Sequence, residues 1–317
     1  MPGSAIIPAE AQQVKPNPST TDILTLSHGT DRCDLVPELG GSIAAWTVGG
    51  QGMMRSASAL SIAAKDPFGM ASFPLVPYSN RIGDGSFEWD GKWFALARNF
   101  PPEPHAIHGV GFQRPWQVRK RTAESATLVL NHGPGASWPF AFKAEQRITL
   151  GEGTLAIEMS AVNLADRAVP LAFGHHPYFP RSGAFLNFRA QGVWLVGDDG
   201  LPILRVVPFD KFDYSNAMSV ARGDIDHCFV GWDRKAEIFW PDRPLALEIA
   251  ASDGLPCAVV CIRSDIDGFC FEPVPHINDA VNRREGDHGM PVIAPGESFT
   301  ASICFRAVKR VRITPEL

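Results

Sequence analysis

Residues 147–159, Arg-Ile-Thr-Leu-Gly-Glu-Gly-Thr-Leu-Ala-Ile-Glu-Met, alternate apolar and polar side chains on either side of a glycine-bounded turn. Ile148 and Leu150 share one parity before Gly151-Glu152-Gly153, and Leu155, Ile157 and Met159 share one after it. Successive side chains of an extended chain point to opposite faces. The segment therefore predicts a hairpin with one buried face. Runs of the same kind recur at residues 22–27, 87–97, 126–131, 245–250, 258–262 and 299–306, bounded by Gly, Pro, Asn and Asp. That spacing is expected of a sandwich or barrel. Helical periodicity is scarce, and 27 prolines with 29 glycines suit many turns better than long helices. The expectation is one large all-β domain of mostly antiparallel strands.

At 317 residues a two-domain chain is the default, but an all-β unit can be this large. No composition break and no fixed-period repeat divides the sequence. Residues 1–20, rich in Pro, Ser, Ala and Gln, read as a poorly ordered N-terminal tail, and 21–317 as a single domain. A net charge of −5 with no Lys/Arg run leaves no electrostatic footprint for nucleic acid. The six cysteines form no C-x-x-C pair and read as free buried thiols in a reducing compartment. The N-terminus lacks a basic start followed by an apolar stretch, and no run of 18 apolar residues exists. The expectation is a cytoplasmic protein that neither spans a membrane nor binds nucleic acid.

Five polar clusters interrupt the strands. Asn80-Arg81 sits in a turn-rich loop and offers an amide and a guanidinium to several hydroxyls or to an anion, unless it is merely a solvated turn. His105 and His108 have His-x-x-His spacing, but no helical pattern would bring both rings to one metal. His108 precedes Gly-Val-Gly, which suits a backbone that must approach a ligand closely. His175 and His176 are adjacent, so on a strand they face opposite ways. His175 shares parity with Leu171 and Phe173, whereas His176 shares it with Ala172 and Gly174, leaving room for a ligand beside an imidazole. Asp226 stands beside a hydrophobic pair. Glu272 lies within an apolar run, where a carboxylate is costly unless paired or used. It reads either as a base whose pKa burial raises or as a structural cap. The sequence carries no P-loop, dinucleotide fingerprint or G-x-S-x-G elbow.

An ordered set of short motifs resembles the aldose 1-epimerase (galactose mutarotase) family. The set runs through Asn80-Arg81-Ile82, Gly85-x-Phe87, Asp90-Gly91, Ile107-His108-Gly109 and Trp138-Pro139-Phe140. It continues with His176-Pro177-Tyr178-Phe179, Asp226-His227-Cys228-Phe229, Phe271-Glu272-Pro273 and Ala294-Pro295-Gly296-Glu297. The resemblance spans roughly residues 22–307. It implies a galactose mutarotase-like β-supersandwich with a sugar site on the concave face of a large sheet. It also implies interconversion of α and β anomers of an aldose without cofactor or metal, by a monomer or homodimer. By position, Glu272 would be the general base at the C1 hydroxyl and His176 the acid at the ring oxygen. Asn80, Arg81, His108 and Asp226 would hold the sugar. Attraction between an imidazolium and a carboxylate would raise the His176 pKa and lower that of Glu272. The chain departs from the family pattern at Val110, His175 and Pro177, all near the sugar, which leaves its identity open. Arg81, Arg263, Arg283 and Arg284 could serve an anionic, phosphorylated or sulfonated sugar. A non-catalytic carbohydrate-binding sandwich is the reading from a different class.

Overall fold

The computed structural model describes residues 22–221, 223–283 and 289–310. The tail read at residues 1–20 and the candidate Arg284 lie outside the described residues. Among the described residues the chain forms an eleven-stranded and a nine-stranded sheet, with three two-stranded ribbons, and the paired strands run antiparallel. The single α-helix among them, Ala59–Ala63, has five residues. Among the described residues no helix is long and apolar enough to cross a membrane.

The hairpin read from the alternation is present as Phe142–Gly151 and Thr154–Asn163. Ile148 faces Ile157 and Leu150 faces Leu155, all buried, while the intervening side chains reach the surface. Glu152-Gly153 makes the turn, and Gly153 takes the positive φ of +58°. One residue breaks the pattern. Gln146, on the same parity as Ile148, turns an amide into the core and is fully buried.

These strands belong to the smaller sheet, whose apolar face packs against the larger one in a continuous core. The middle of the larger sheet runs Ser72–Leu75, Gly174–Phe179, Phe269–Val274, Cys257–Ile262 and Ile225–Val230. Its three central strands are buried at every position. One face meets the other sheet. The opposite face carries a separate apolar cluster containing Phe73, Phe112, Tyr178, Cys261 and Cys270.

Five of the six cysteines are buried free thiols, as expected; Cys304 instead points outward from the strand Ser298–Lys309.

Candidate active site

Register alone assembles the floor of the site. Phe73 pairs with His176, and Tyr178 pairs with Cys270. Two residues further along the second pair of strands, His176 lies beside Glu272. Beyond them, Val259 opposes Glu272 and Cys261 opposes Cys270, and Asp226 opposes Cys261. Because facing residues share a side of the sheet, two rows of side chains line the face away from the second sheet. The first holds Phe73, His176, Glu272 and Val259; the second holds Tyr178, Cys270, Cys261 and Asp226.

His176 is clamped in this floor. Its ring stacks on Phe73 at 4.5 Å and tilts against Tyr178 at 4.7 Å, while His108 meets it edge-on at 5.0 Å. His176 Nε2 stands 3.3 Å from Glu272 Oε1. Glu272 is only 2% exposed, and its Oε2 has no hydrogen-bond partner in the protein. His176 Nδ1 and His108 Nδ1 likewise have none.

Two loops build the rim. Asn80 and His108 both adopt left-handed backbone (φ +54° and +60°), a conformation disfavoured for side-chain-bearing residues and held here by cross-links. His108 N–H donates to the Asn80 carbonyl at 2.8 Å, and Arg81 pairs with Ile107. Asn80 Oδ1 accepts from Arg81 N–H at 2.9 Å. Arg81 is held by Glu103, with Nε to Oε1 at 3.3 Å, and by Asp226 at 3.5 Å. Gly109 follows at φ +73°, but the close approach expected there is not to a ligand. A Cβ would lie 2.2 Å from the Val76 carbonyl oxygen, so the glycine serves backbone packing.

All six sequence candidates, Asn80, Arg81, His108, Asp226, His176 and Glu272, border one cavity of about 460 Å³. That size is in the range of small-molecule sites. The sequence reading passed over Arg55, Glu103 and Tyr178. Arg55 lies 3.9 Å above the Tyr178 ring and donates to the Phe68 and Met70 carbonyls. Tyr178 had a usable signal, its parity with His176; Arg55 and Glu103 had none. Arg263 borders the cavity but is taken up by Asp265, at 3.0 and 2.8 Å. Arg283 stacks on Trp194 and donates to the Pro202 carbonyl, away from this cavity. His105 uses both ring nitrogens elsewhere: Nδ1 accepts from Asp84 N–H and Nε2 donates to the Asp199 carbonyl.

The electrostatics overturn one expectation. Burial pushes Glu272 well above the usual carboxylate range, Asp226 adds to the shift and Arg81 opposes it. Burial likewise lowers His176 to about 3, with Arg55 and His175 adding to the effect and a backbone hydrogen bond opposing it. Burial thus shifts both groups in the directions that disfavour an ion pair. His108 is held well below its ordinary value by burial, then by His176 and Arg81. For Arg81, burial works against the charge, but Asp226 and Glu103 prevail and raise its pKa. Both directions favour the neutral form of the His176–Glu272 pair, with the proton on the carboxyl rather than on the imidazole.

Residues 22–306 match the family model described as aldose 1-epimerase. The uncharacterised protein YphB of Escherichia coli K-12 is 29% identical over 294 residues, covering 90% of this chain and 98% of that protein. Human galactose mutarotase is 30% identical over 129 residues, which is 39% of this chain and 36% of that protein. A crystal structure of an Escherichia coli K-12 protein superposes with a TM-score of 0.84 at 27% identity, covering 91% of this chain and 99% of its own. A galactose mutarotase-like protein from Clostridium acetobutylicum shares the fold, with a TM-score of 0.82 at 20% identity over 91% and 95% of the two chains.

Proposed function

The chain belongs to the aldose 1-epimerase family, and from that premise we propose that it interconverts the α and β anomers of a neutral aldohexose through His176 and Glu272. The observation that carries this reading is the 3.3 Å approach of His176 Nε2 to Glu272 Oε1 on the wall of a hexose-sized cavity. Anomerisation needs one proton removed from the C1 hydroxyl and one delivered to the ring oxygen. The pair holds one acid and one base wherever its single proton lies. Hydrogen bonds from sugar hydroxyls to the Glu272 carboxylate favour its ionised form. They send the shared proton to His176, leaving Glu272 as base at the C1 hydroxyl and His176 as acid at the ring oxygen. The C1–O5 bond opens, the aldehyde turns about C1–C2, and ring closure on the other face returns both protons. Arg81, Asn80, His108 and Asp226 hold the hydroxyls, which supplies the orientation part of the rate.

Charge balance supports a neutral sugar over an anionic one. The cavity is bordered by six carboxyl groups (Asp66, Glu103, Asp226, Asp265, Asp267, Glu272) and three guanidiniums (Arg55, Arg81, Arg263). Each guanidinium is already engaged, Arg81 and Arg263 by carboxylates and Arg55 by backbone carbonyls. A phosphate or sulfonate would have to compete for them. A purely binding role would need neither an acid nor a base at bonding distance.

Polarimetry or NMR exchange on pure α-glucose and α-galactose tests the reading. The expected result is anomer exchange well above the spontaneous rate, and greater than on 6-phosphorylated or 6-sulfonated analogues. A rate equal to the spontaneous one on all of them would overturn it.

A further inference from the structure

Beside the acid–base pair, in the second row of the floor, lies a buried thiol that proton transfer does not use. Cys270 is two residues from Glu272 on one strand and so shares its face. Its Sγ, a His176 ring nitrogen and a Glu272 carboxylate oxygen all lie within 4.8 Å of one another. All three residues are buried, and Glu272 Oε2 has no protein partner. We propose that His176, Cys270 and Glu272 form an inhibitory site for a borderline-soft divalent cation of the Zn²⁺ class.

Nitrogen, sulfur and carboxylate donors together suit Zn²⁺ or Cd²⁺ and disfavour Mg²⁺ and Ca²⁺, which take oxygen ligands. Three protein ligands, of which His176 and Glu272 border the cavity, match the three-ligand arrangement that zinc adopts in non-structural sites. Charge favours the complex, since a thiolate and a carboxylate neutralise a dication and the buried assembly carries no net charge. Protons held by the thiol and the carboxyl leave to solvent as the metal binds. The Cys270 thiol interacts with Cys261 in the second row, and a sugar hydroxyl could satisfy Glu272 Oε2 without engaging it. Only a soft cation engages all three groups. Once bound, it occupies the imidazole lone pair and the carboxylate, so neither can move a proton. That inhibitory consequence rests on the proposed anomerase reading; the binding itself does not.

The test uses the full-length, reduced protein freed of metal by a chelator, with Cd²⁺ as probe. The expected result is one Cd²⁺ per chain, an ultraviolet thiolate-to-cadmium charge-transfer band, and loss of the band on adding Zn²⁺. Cys270→Ser should abolish the band and weaken Cd²⁺ binding at least about 10-fold. Whatever anomerisation rate it retains should be insensitive to Zn²⁺. Cys304→Ser, at the exposed thiol, should leave the band intact. Should Cys270→Ser fold poorly, Glu272→Gln keeps the thiol and should still lower the affinity. The site is overturned by a full band in Cys270→Ser, by its loss in Cys261→Ser or Cys304→Ser alone, by unchanged affinity in Glu272→Gln, or by no band in the parent protein. If the metal-free parent shows no anomerase activity, the catalytic reading fails while the cadmium band still decides the site.

Discussion

The two faces of the larger sheet receive adjacent histidines and treat them differently. On the core face His175 is fully buried and fully satisfied. Ser72 Oγ lies 2.7 Å from its Nδ1, and its Nε2 lies 2.9 Å from Gln146 Oε1 on the facing sheet. Gln146 in turn donates to the Gly41 carbonyl at 2.8 Å. On the cavity face His176 is almost as buried, at 6% exposure, yet one ring nitrogen is unpartnered and the other faces a carboxyl. Burial lowers both to about 3. Desolvation is therefore common to both, and the hydrogen-bond inventory separates a structural histidine from a chemical one. A core histidine with both nitrogens matched ties two sheets together, whereas an unmatched one beside a cavity is open to a ligand.

This contrast can be broken experimentally, and the largest effect is expected on the cavity face. His176→Asn and Glu272→Gln should each lower kcat for anomerisation by at least about 10²-fold, the usual scale for a general acid or base. Chemical denaturation of either variant should show little loss of stability, because neither residue is fully satisfied in the fold. Full activity in either would remove that residue from the mechanism.

On the core face the effects should reverse. His175→Leu strands Ser72 Oγ and Gln146 Oε1 in the core, so the urea midpoint should drop by the equivalent of about 2–6 kcal/mol, at about 1–3 per orphaned polar group. Activity per folded molecule should fall far less than in His176→Asn. An unchanged midpoint would mean that the inter-sheet chain of hydrogen bonds contributes nothing.

A smaller difference concerns pH. The folded pKa of His175 lies below its ordinary value of 6.5, at about 3, so between these limits the unfolded chain binds a proton that the native state does not. The resulting stability is present above about 6.5 and is lost as pH falls toward 3, with a slope of up to ~1.4 kcal/mol per pH unit. His175→Asn, which retains hydrogen-bonding capacity without titrating, should flatten the acid limb of stability against pH by that one group. An identical slope in the two proteins would contradict a neutral His175.

The smallest effect belongs to the rim. Glu103→Gln removes one of the charges that hold Arg81, while Asp226 and Asn80 still do so. KM should rise about 2–5-fold with kcat nearly constant, in keeping with about 0.5–1 kcal/mol for a partly exposed ion pair. A fall in kcat matching that of Glu272→Gln would place Arg81 in the chemistry rather than in substrate holding.

Much of the fold was legible because alternation is a local property. The hairpin of residues 147–159, the run at 245–250 and the opposite faces of His175 and His176 all follow from the period of two along a strand. Glu272 and His176 stood out for a related reason, a polar group amid apolar or small neighbours. Arg55 and Glu103 carried no such mark. They matter only because loops far apart in sequence close on one cavity, as in the pairing of Arg81 with Asp226 across 145 residues. Gln146 shares the parity of Ile148, but the partner that satisfies its buried amide, His175, lies on the other sheet and leaves no local mark.

By itself the sequence determined the strand-rich class, the face on which each histidine lies and the family to which the motifs point. The tertiary structure alone decided which residues meet across strands, which polar atoms find partners and how deeply each titratable group is desolvated. The physical reason is that side-chain direction depends on the backbone of a few consecutive residues. Desolvation and hydrogen bonding, in contrast, sum over neighbours that only folding brings together. For His176 and Glu272 burial shifts each group against the charge that their pairing alone would favour.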